Sequence, residues 1–139
     1  MAAFNKFQQF VEDLGHEVHN LATGQDACKV MLTNVAPTAT DAVKTDITEI
    51  AAGNGYTAGG TAIANTDWQQ VTGTASLVGD DVVFTAAGGA IAQFRYAVVY
   101  NDTSASDSLI SWWDYGSAVD LATGETFTVD FGATIATLA

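Results

Sequence analysis

Hydrophobic residues near the start of the chain recur every three or four positions. The intervals are 3, 4, 3, 4 and 3 residues for Phe4, Phe7, Val11, Leu14, Val18 and Leu21. This period places their side chains on one stripe of an amphipathic helix. Gly24 follows the stripe and is a typical helix stop signal. The pattern therefore predicts an N-terminal helix or arm over residues 1–24, docked on a sheet of the same chain or of a neighbour.

After Gly24 the hydrophobic period changes to two, which is typical of β-strands. Predicted strands cover residues 29–33, 47–50, 68–78, 82–86, 94–100, 109–115, 125–131 and 135–138. The clearest of them is 94–100, where every second side chain from Phe94 to Tyr100 is large and shares one face. The chain beyond the arm is therefore expected to be built from short strands.

The spacing of these strands indicates the fold class. Turns that carry glycine recur about every ten residues, as in antiparallel sandwiches. The helical segments that parallel crossovers need are missing. Segments 68–78 and 82–86 predict a hairpin that turns at Gly79-Asp80. We therefore predict a mainly β chain, with an antiparallel jelly roll or β-sandwich over residues 25–139 that forms a single structural domain with the N-terminal helix.

The charge of the chain excludes several classes of partner. Sixteen acidic residues stand against four basic ones, which gives a net charge of −12. Direct nucleic-acid binding and attraction to anionic membranes both need clustered Lys and Arg, so we expect neither partner. No segment reaches the ~18 consecutive apolar residues of a membrane span, and the N-terminus lacks a secretory signal pattern. We expect the protein to stay in the cytoplasm where it is made, or to join an assembly there.

Candidate catalytic and metal-binding residues are few. His16 and His19, with Glu12 one turn earlier, have a spacing that can hold a metal ion. However, the predicted strands add no ligand cluster, and both rings fit a solvated polar face. The single cysteine, Cys28, is expected to pack as a small apolar residue at the start of a strand. Because no nucleophile–base motif is present either, we expect a protein that is not an enzyme and has no metal or cofactor.

Two adjacent tryptophans indicate a surface that a partner covers. Trp112 and Trp113 face opposite sides of a strand, so one is exposed unless the helix, a loop or a second subunit covers it. Charged residues make up 14% of the chain, against about 25% in typical soluble proteins, which also favours a covered surface. Exposed aromatic clusters mark contact sites. The predicted partner interface comprises Phe4, Phe7, Val11, Leu14, Val18, Trp112 and Trp113.

Five segments of the chain together resemble a known family. They are residues 11–21 (VEDLGHEVHNL), 29–37 (KVMLTNVAP), 46–60 (DITEIAAGNGYTAGG), 94–102 (FRYAVVYND) and 112–116 (WWDYG). As a set they resemble the small cement (decoration) proteins on the heads of tailed bacteriophages, specifically those of short-tailed Bordetella phages. The resemblance spans most of the chain.

The resemblance implies a jelly-roll subunit that forms a homodimer. Such dimers would lie on the outer surface of an icosahedral shell, bind the major capsid protein and connect neighbouring capsomers. The protein would then be part of the virion after assembly in the host cytoplasm. The family supplies no catalytic residues. Two alternatives stay open: a receptor- or glycan-binding module of a phage tail that uses Trp68, Trp112 or Trp113, and an enzyme that uses scattered carboxylates.

Overall fold

The computed structural model describes residues 3–139, and most of the ordered segments in this range are strands. The elements are β1 (Ala3–Lys6), α1 (Gln8–Gly15), β2 (Cys28–Thr33), a 3₁₀ helix (Lys44–Asp46), β3 (Thr61–Ala62), β4 (Asp67–Val71), β5 (Thr74–Val78), β6 (Val82–Thr85), β7 (Ile91–Asn101), β8 (Leu109–Leu121), β9 (Thr126–Val129) and β10 (Ala136–Leu138). This confirms the prediction of a mainly β chain with a helix near its N-terminus.

The strands form three sheets in which every pairing is antiparallel. A five-stranded sheet has the order β1-β8-β7-β2-β3, a three-stranded sheet the order β10-β5-β4, and β6 pairs with β9. The two longest strands, β7 and β8, lie at the centre of the large sheet. Antiparallel pairing is therefore confirmed.

The N-terminal helix is shorter than its hydrophobic stripe predicts. Residues before α1 form β1, in which Phe4 pairs with Trp113 and Asn5 with Trp112 of β8. Helix α1 ends at Gly15 because Glu17 adopts a left-handed φ of 60°, which lets the Val18 N–H reach back to a carbonyl of the last turn. The predicted helix over residues 1–24 is therefore wrong for residues 3–7 and 16–24, and Met1 and Ala2 lie outside the described residues.

The hairpin predicted for residues 68–86 turns at a different place in the structure. Strands β4 and β5 are joined at Thr72-Gly73, whose φ values are 47° and 84°. Two consecutive positive φ values define the tight turn that matches the twist of a hairpin. Gly79 instead passes close to other segments, because a Cβ there would lie 2.8 Å from Cγ2 of Ile63. The predicted hairpin at Gly79-Asp80 is therefore wrong, and β6 pairs with β9.

Other predicted strands differ mainly in their ends. Segments 29–33, 94–100, 109–115, 125–131 and 135–138 overlap β2, β7, β8, β9 and β10. Residues 47–50 are different, because they contribute an isolated bridge between Glu49 and Thr33 rather than a strand. The backbone there leaves the sheet to enter a glycine-rich loop, residues 53–60.

Buried tyrosines hold that glycine-rich loop against the large sheet. The Tyr56 hydroxyl donates to Oε1 of Glu49 at 2.7 Å and accepts from the Leu32 N–H at 3.0 Å. The Tyr100 hydroxyl donates to the Gly59 carbonyl at 2.6 Å. Because each hydroxyl is buried with a partner, the loop is fixed at both of these points.

The core includes residues from the N-terminal segment as well as the sheets. Phe7, Phe10 and Leu21 belong to the same buried cluster as Met31 of β2 and Trp113 of β8. The large sheet is buried on both faces at its centre, since consecutive residues of β7 from Tyr96 to Asn101 are all buried. The N-terminal segment is therefore packed on the sheets through Phe7, Phe10 and Leu21. Within the described range, no helix has the length and apolar character that crossing a membrane requires.

Candidate functional site

The structure covers most of the aromatic residues that were expected to contact a partner. Phe7 and Trp113 are 0% and 2% exposed. The Phe4 ring lies 6.1 Å from the Trp113 ring, and the Phe7 ring lies 4.5 Å from that of Trp112. The N-terminal segment of the same chain therefore covers the half-buried Trp112. Phe7 and Trp113 cannot reach a partner without rearrangement, because both fill the core of the monomer.

Three further residues of the predicted interface, on α1 and in the turn after it, are divided between two surface depressions. Val11 and Leu14 line a large groove, and Val11 is 43% exposed. Val18 lines a smaller pocket with Asp13 and Ser108. That these three residues contact a partner remains a prediction, and the groove is the larger of the two surfaces.

We call the larger depression the hairpin–helix groove. It lies between α1 with the turns that follow it and the β10-β5-β4 sheet, and it encloses about 960 Å³. Its apolar side chains are Val11, Leu14, Leu21, Trp68, Ala75 and Leu138. Glu17 and Asn20 add polar groups. The groove thus combines an apolar surface with a polar margin, which is the usual composition of a contact site.

Trp68 is the residue that connects the groove to the core. It lies on β4, is half-buried, and presents its ring to Phe10 edge-on at 6.3 Å. Its cross-strand partner Leu77 is buried. The part of Trp68 that the core leaves uncovered faces the groove, so this tryptophan is available to a bound molecule.

Beyond Asp67, the first residue of β4, the β4–β5 hairpin beside the groove carries no charge. Residues 68–79 contain no Asp, Glu, Lys or Arg, although the chain has a net charge of −12. Gln69, Gln70 and Val71 are exposed, and Val71 is 70% exposed. Sequence reasoning missed this surface, although the uncharged run is visible in the sequence. Its position next to the groove is what the structure adds.

The acidic residue at the start of β4 is tied to its neighbours. Oδ1 of Asp67 accepts from the Thr23 N–H at 3.1 Å, and Oδ2 accepts from the Gln69 side chain at 3.2 Å. Hydrogen bonds from Thr23 and Gln69 hold the pKa of Asp67 below its usual value. The carboxylate therefore stays ionised and anchors the loop after α1 to the hairpin.

A buried polar cluster lies below the end of α1. The His19 side chain is fully buried, with Nδ1 3.0 Å from Nδ2 of Asn101 and Nε2 4.0 Å from Oδ2 of Asp13. The same amide group of Asn101 donates to Oδ2 of Asp26 at 2.7 Å. Burial lowers the pKa of His19 more than the nearby Asp13 and Asp26 raise it. The ring is therefore neutral near pH 7 and accepts a hydrogen bond at Nδ1.

The two histidines do not meet at a metal site. His16 is exposed, with Nδ1 3.6 Å from Oε1 of Glu12, whereas His19 is buried. The expectation of a solvated polar-face residue therefore holds for His16 and is wrong for His19. Among residues 3–139, no group of three or more His, Cys, Asp or Glu is placed to hold a metal ion.

Cys28 is a buried structural residue, as expected. It is the first residue of β2 and is almost fully covered. Burial and the nearby charge of Asp26 raise the pKa of its thiol to about 12. The thiolate that nucleophilic or redox chemistry requires is therefore nearly absent at neutral pH.

Comparison with protein-family models, with curated proteins and with solved structures finds no match.

Proposed function

We propose that this protein is a capsid decoration (cement) protein of a tailed bacteriophage. In this proposal a jelly-roll subunit binds the outer surface of the icosahedral shell as a homodimer, bridges subunits of the major capsid protein and stabilises them. It is a component of the virion, joins the shell in the host cytoplasm, and has no enzymatic activity and no cofactor. The resemblance of five sequence segments to this family motivates the proposal.

The observation that carries the proposal is a surface contrast. The hairpin–helix groove and residues 68–79 of the hairpin together carry one acidic residue, Glu17, on a chain with a net charge of −12. Such a face is suited to contact with another protein, because desolvating it costs little. The remaining acidic surface keeps free subunits soluble before they bind.

The position outside the shell agrees with the charge of the chain. An acidic protein is repelled by packaged DNA, so the outer surface suits it better than the inner one. Many copies on one shell, each with a modest contact, add up to a large reinforcement. The pairings β1–β8 and β2–β7 in the large sheet, which place strands far apart in sequence side by side, support the jelly-roll part of the proposal.

Binding to undecorated shells tests the function directly. The purified protein should bind such shells saturably and raise the temperature at which they release DNA. Val11→Glu places a charge in the groove and should remove most of the binding. Val83→Glu makes the same change at an exposed valine on β6, outside the groove, and should bind as the natural protein does.

Shells that show no saturable uptake of the natural protein and no gain in heat resistance would contradict the proposal. If both variants lost binding equally, the added negative charge would explain the loss, and the groove would not be the binding surface.

A second candidate function is glycan binding by a phage tail module. It is favoured by Trp68, which lines the groove close to the polar groups of Glu17 and Asn20. An aromatic ring beside such groups is a common arrangement for holding a sugar. Trp68→Ala should then abolish binding to a glycan array, and antibody-labelled particles should carry the signal at the tail tip. Labelling over the whole head would instead favour decoration.

A further inference from the structure

Strand β4 is an open edge of the three-stranded sheet. It pairs with β5 on one side, and the sheet order β10-β5-β4 leaves its other side free. The tight turn at Thr72-Gly73 makes Val71 and Thr74 a hydrogen-bonded pair. By alternation, Trp68 and Gln70 direct their backbone N–H and C=O groups to the free side.

This edge lacks the charges with which edge strands are usually protected. Strand β6 follows Asp80-Asp81, and β9 lies between Glu125 and Asp130. Such charges discourage pairing with another chain. In β4 the single acid is Asp67 at its first residue, and that carboxylate is already bonded to Thr23 and Gln69.

We propose that two copies of this chain pair through β4, antiparallel and about a two-fold axis at Gln69. The pairing joins two three-stranded sheets into one of six strands. It deepens the proposed function, because it locates the contact of the homodimer.

The occupant is a second copy because the edge is complementary to itself. In this register Trp68 lies opposite Gln70 of the other copy, so the two outward-facing residues of each strand exchange backbone hydrogen bonds. Asp67 lies opposite Val71, so the two acids are kept apart and the most exposed valine gains a neighbour. Two chains with a net charge of −12 repel each other, and an uncharged edge is where they can approach.

Charges of opposite sign at Val71 test the register. Val71→Asp places a second carboxylate opposite Asp67 in both halves of the dimer, and Val71→Lys places an ammonium there. We expect the dimer dissociation constant, measured by sedimentation equilibrium, to rise about tenfold for Val71→Asp and to stay equal or fall for Val71→Lys. Val83→Asp and Val83→Lys are the matched controls for net charge and should differ little from each other.

A natural protein that stays monomeric over the whole concentration series would overturn the proposal. So would equal weakening by both Val71 variants, or a difference between the Val83 variants as large as that at Val71.

A second pair of variants addresses the backbone. Gln70→Pro removes an N–H from the free edge without touching a bond to β5, and Gln70→Ala changes the side chain alone. We expect the first to weaken the dimer and the second to leave it unchanged, with folding of each checked by circular dichroism. Equal affinities for Gln70→Pro and Gln70→Ala would exclude strand pairing. Shell binding is measured separately. A protein that does not dimerise through β4 can still bind shells, and a protein that does not bind shells can still dimerise, so the two proposals are tested independently.

Discussion

Gly60 lies at a position where a side chain cannot be accommodated. Its φ is +78°, and a Cβ there would stand 1.9 Å from the carbonyl oxygen of Val30 and 2.6 Å from the carbonyl carbon. The glycine-rich loop crosses the backbone of β2 at this point. The glycine is therefore required by close approach as well as by its left-handed backbone.

Gly60→Ala should lower the free energy of unfolding by about 3 kcal/mol or more, because the clash with β2 adds to the backbone strain. Gly24→Ala is the matched control, since Gly24 has a similar φ of +75° and open space around its Cβ position. Its loss should be about 1 kcal/mol. Urea denaturation of both variants measures the difference, and equal losses would contradict the close approach.

His19 should make stability fall as the solution is acidified. Burial lowers the pKa of His19 in the folded chain, so below pH ~6.5 the unfolded chain binds the proton first. The free energy of unfolding then decreases as pH falls from about 6.5 toward the lowered folded pKa, by at most about 1.4 kcal/mol per pH unit from this residue.

Replacing the ring tests this dependence. His19→Gln should be less stable at pH 7, because it disturbs the contact with Asn101, and should lose less stability on acidification. His16→Gln removes an exposed histidine and is the control. Chemical denaturation at a series of pH values measures the slopes. If His19→Gln keeps the slope of the natural protein, the dependence arises elsewhere.

At the scale of elements, β1 and α1 belong to the core. Phe10 on α1 is buried against the rings of His19 and Trp68. The next residue, Val11, points into the groove. One helix therefore stabilises the fold with one face and lines the groove with the other.

Alanine at two neighbouring positions separates these roles. Phe10→Ala should cost about 3–5 kcal/mol of unfolding free energy, because it leaves a cavity between helix and sheet. Val11→Ala should cost less than about 0.5 kcal/mol, as expected for an exposed site. Thermal or urea denaturation compares them. A small loss for Phe10→Ala would mean that α1 can leave the sheet at little cost.

The sequence predicts an element well where the hydrophobic period within the segment determines its conformation. It predicts poorly where pairing with a distant segment determines that conformation. Residues 94–100 are recognisable because β-branched and aromatic side chains continue through a strand that is buried on both faces. Phe4 and Phe7 also fit a helical period. In the structure, Phe4 pairs with Trp113 and Asn5 pairs with Trp112, and this strand pairing keeps the backbone around Phe4 extended. The turn at Thr72-Gly73 was missed because threonine rarely adopts a positive φ.

The candidate site was less predictable than the elements. Val11 and Leu14 were identified from the helical stripe, and both line the groove. Its opposite wall comes from Trp68 and Leu138, which are distant in sequence and meet because β4 and β10 flank β5. No local pattern encodes that meeting. It follows from the order of the strands.

At the scale of the whole molecule, the excess of acids dominates the electrostatics. Specific ion pairs are few beside a net charge of −12. Arg95 binds Asp114 through two hydrogen bonds of 2.7 and 2.9 Å, and Lys29 lies 3.1 Å from Asp102. These pairs are partly exposed, so each contributes little.

Salt should therefore stabilise the protein. Raising sodium chloride from about 0.01 M to about 0.15 M shortens the Debye length from about 30 Å to about 8 Å and screens the repulsion among the acids. We expect the melting temperature to rise by about 2–5 °C. Differential scanning calorimetry measures it, with potassium chloride at equal ionic strength as the control for specific ions. A fall in melting temperature would mean that the ion pairs outweigh the repulsion.

The pairing of β1 with β8 also fixes when the protein can finish folding. Residues 3–6 are synthesised first, but residues 111–114, which receive them, leave the ribosome more than a hundred residues later. At typical translation speeds that delay is roughly 5 to 20 seconds. Throughout it Phe4 and Phe7 lack the rings of Trp113 and Trp112 on which they pack, so the nascent chain exposes hydrophobic side chains to which chaperones can bind. Folding can be completed only after β8 has left the ribosome. Because β1 and β8 are far apart in sequence, their pairing is expected to be a slow last step of folding.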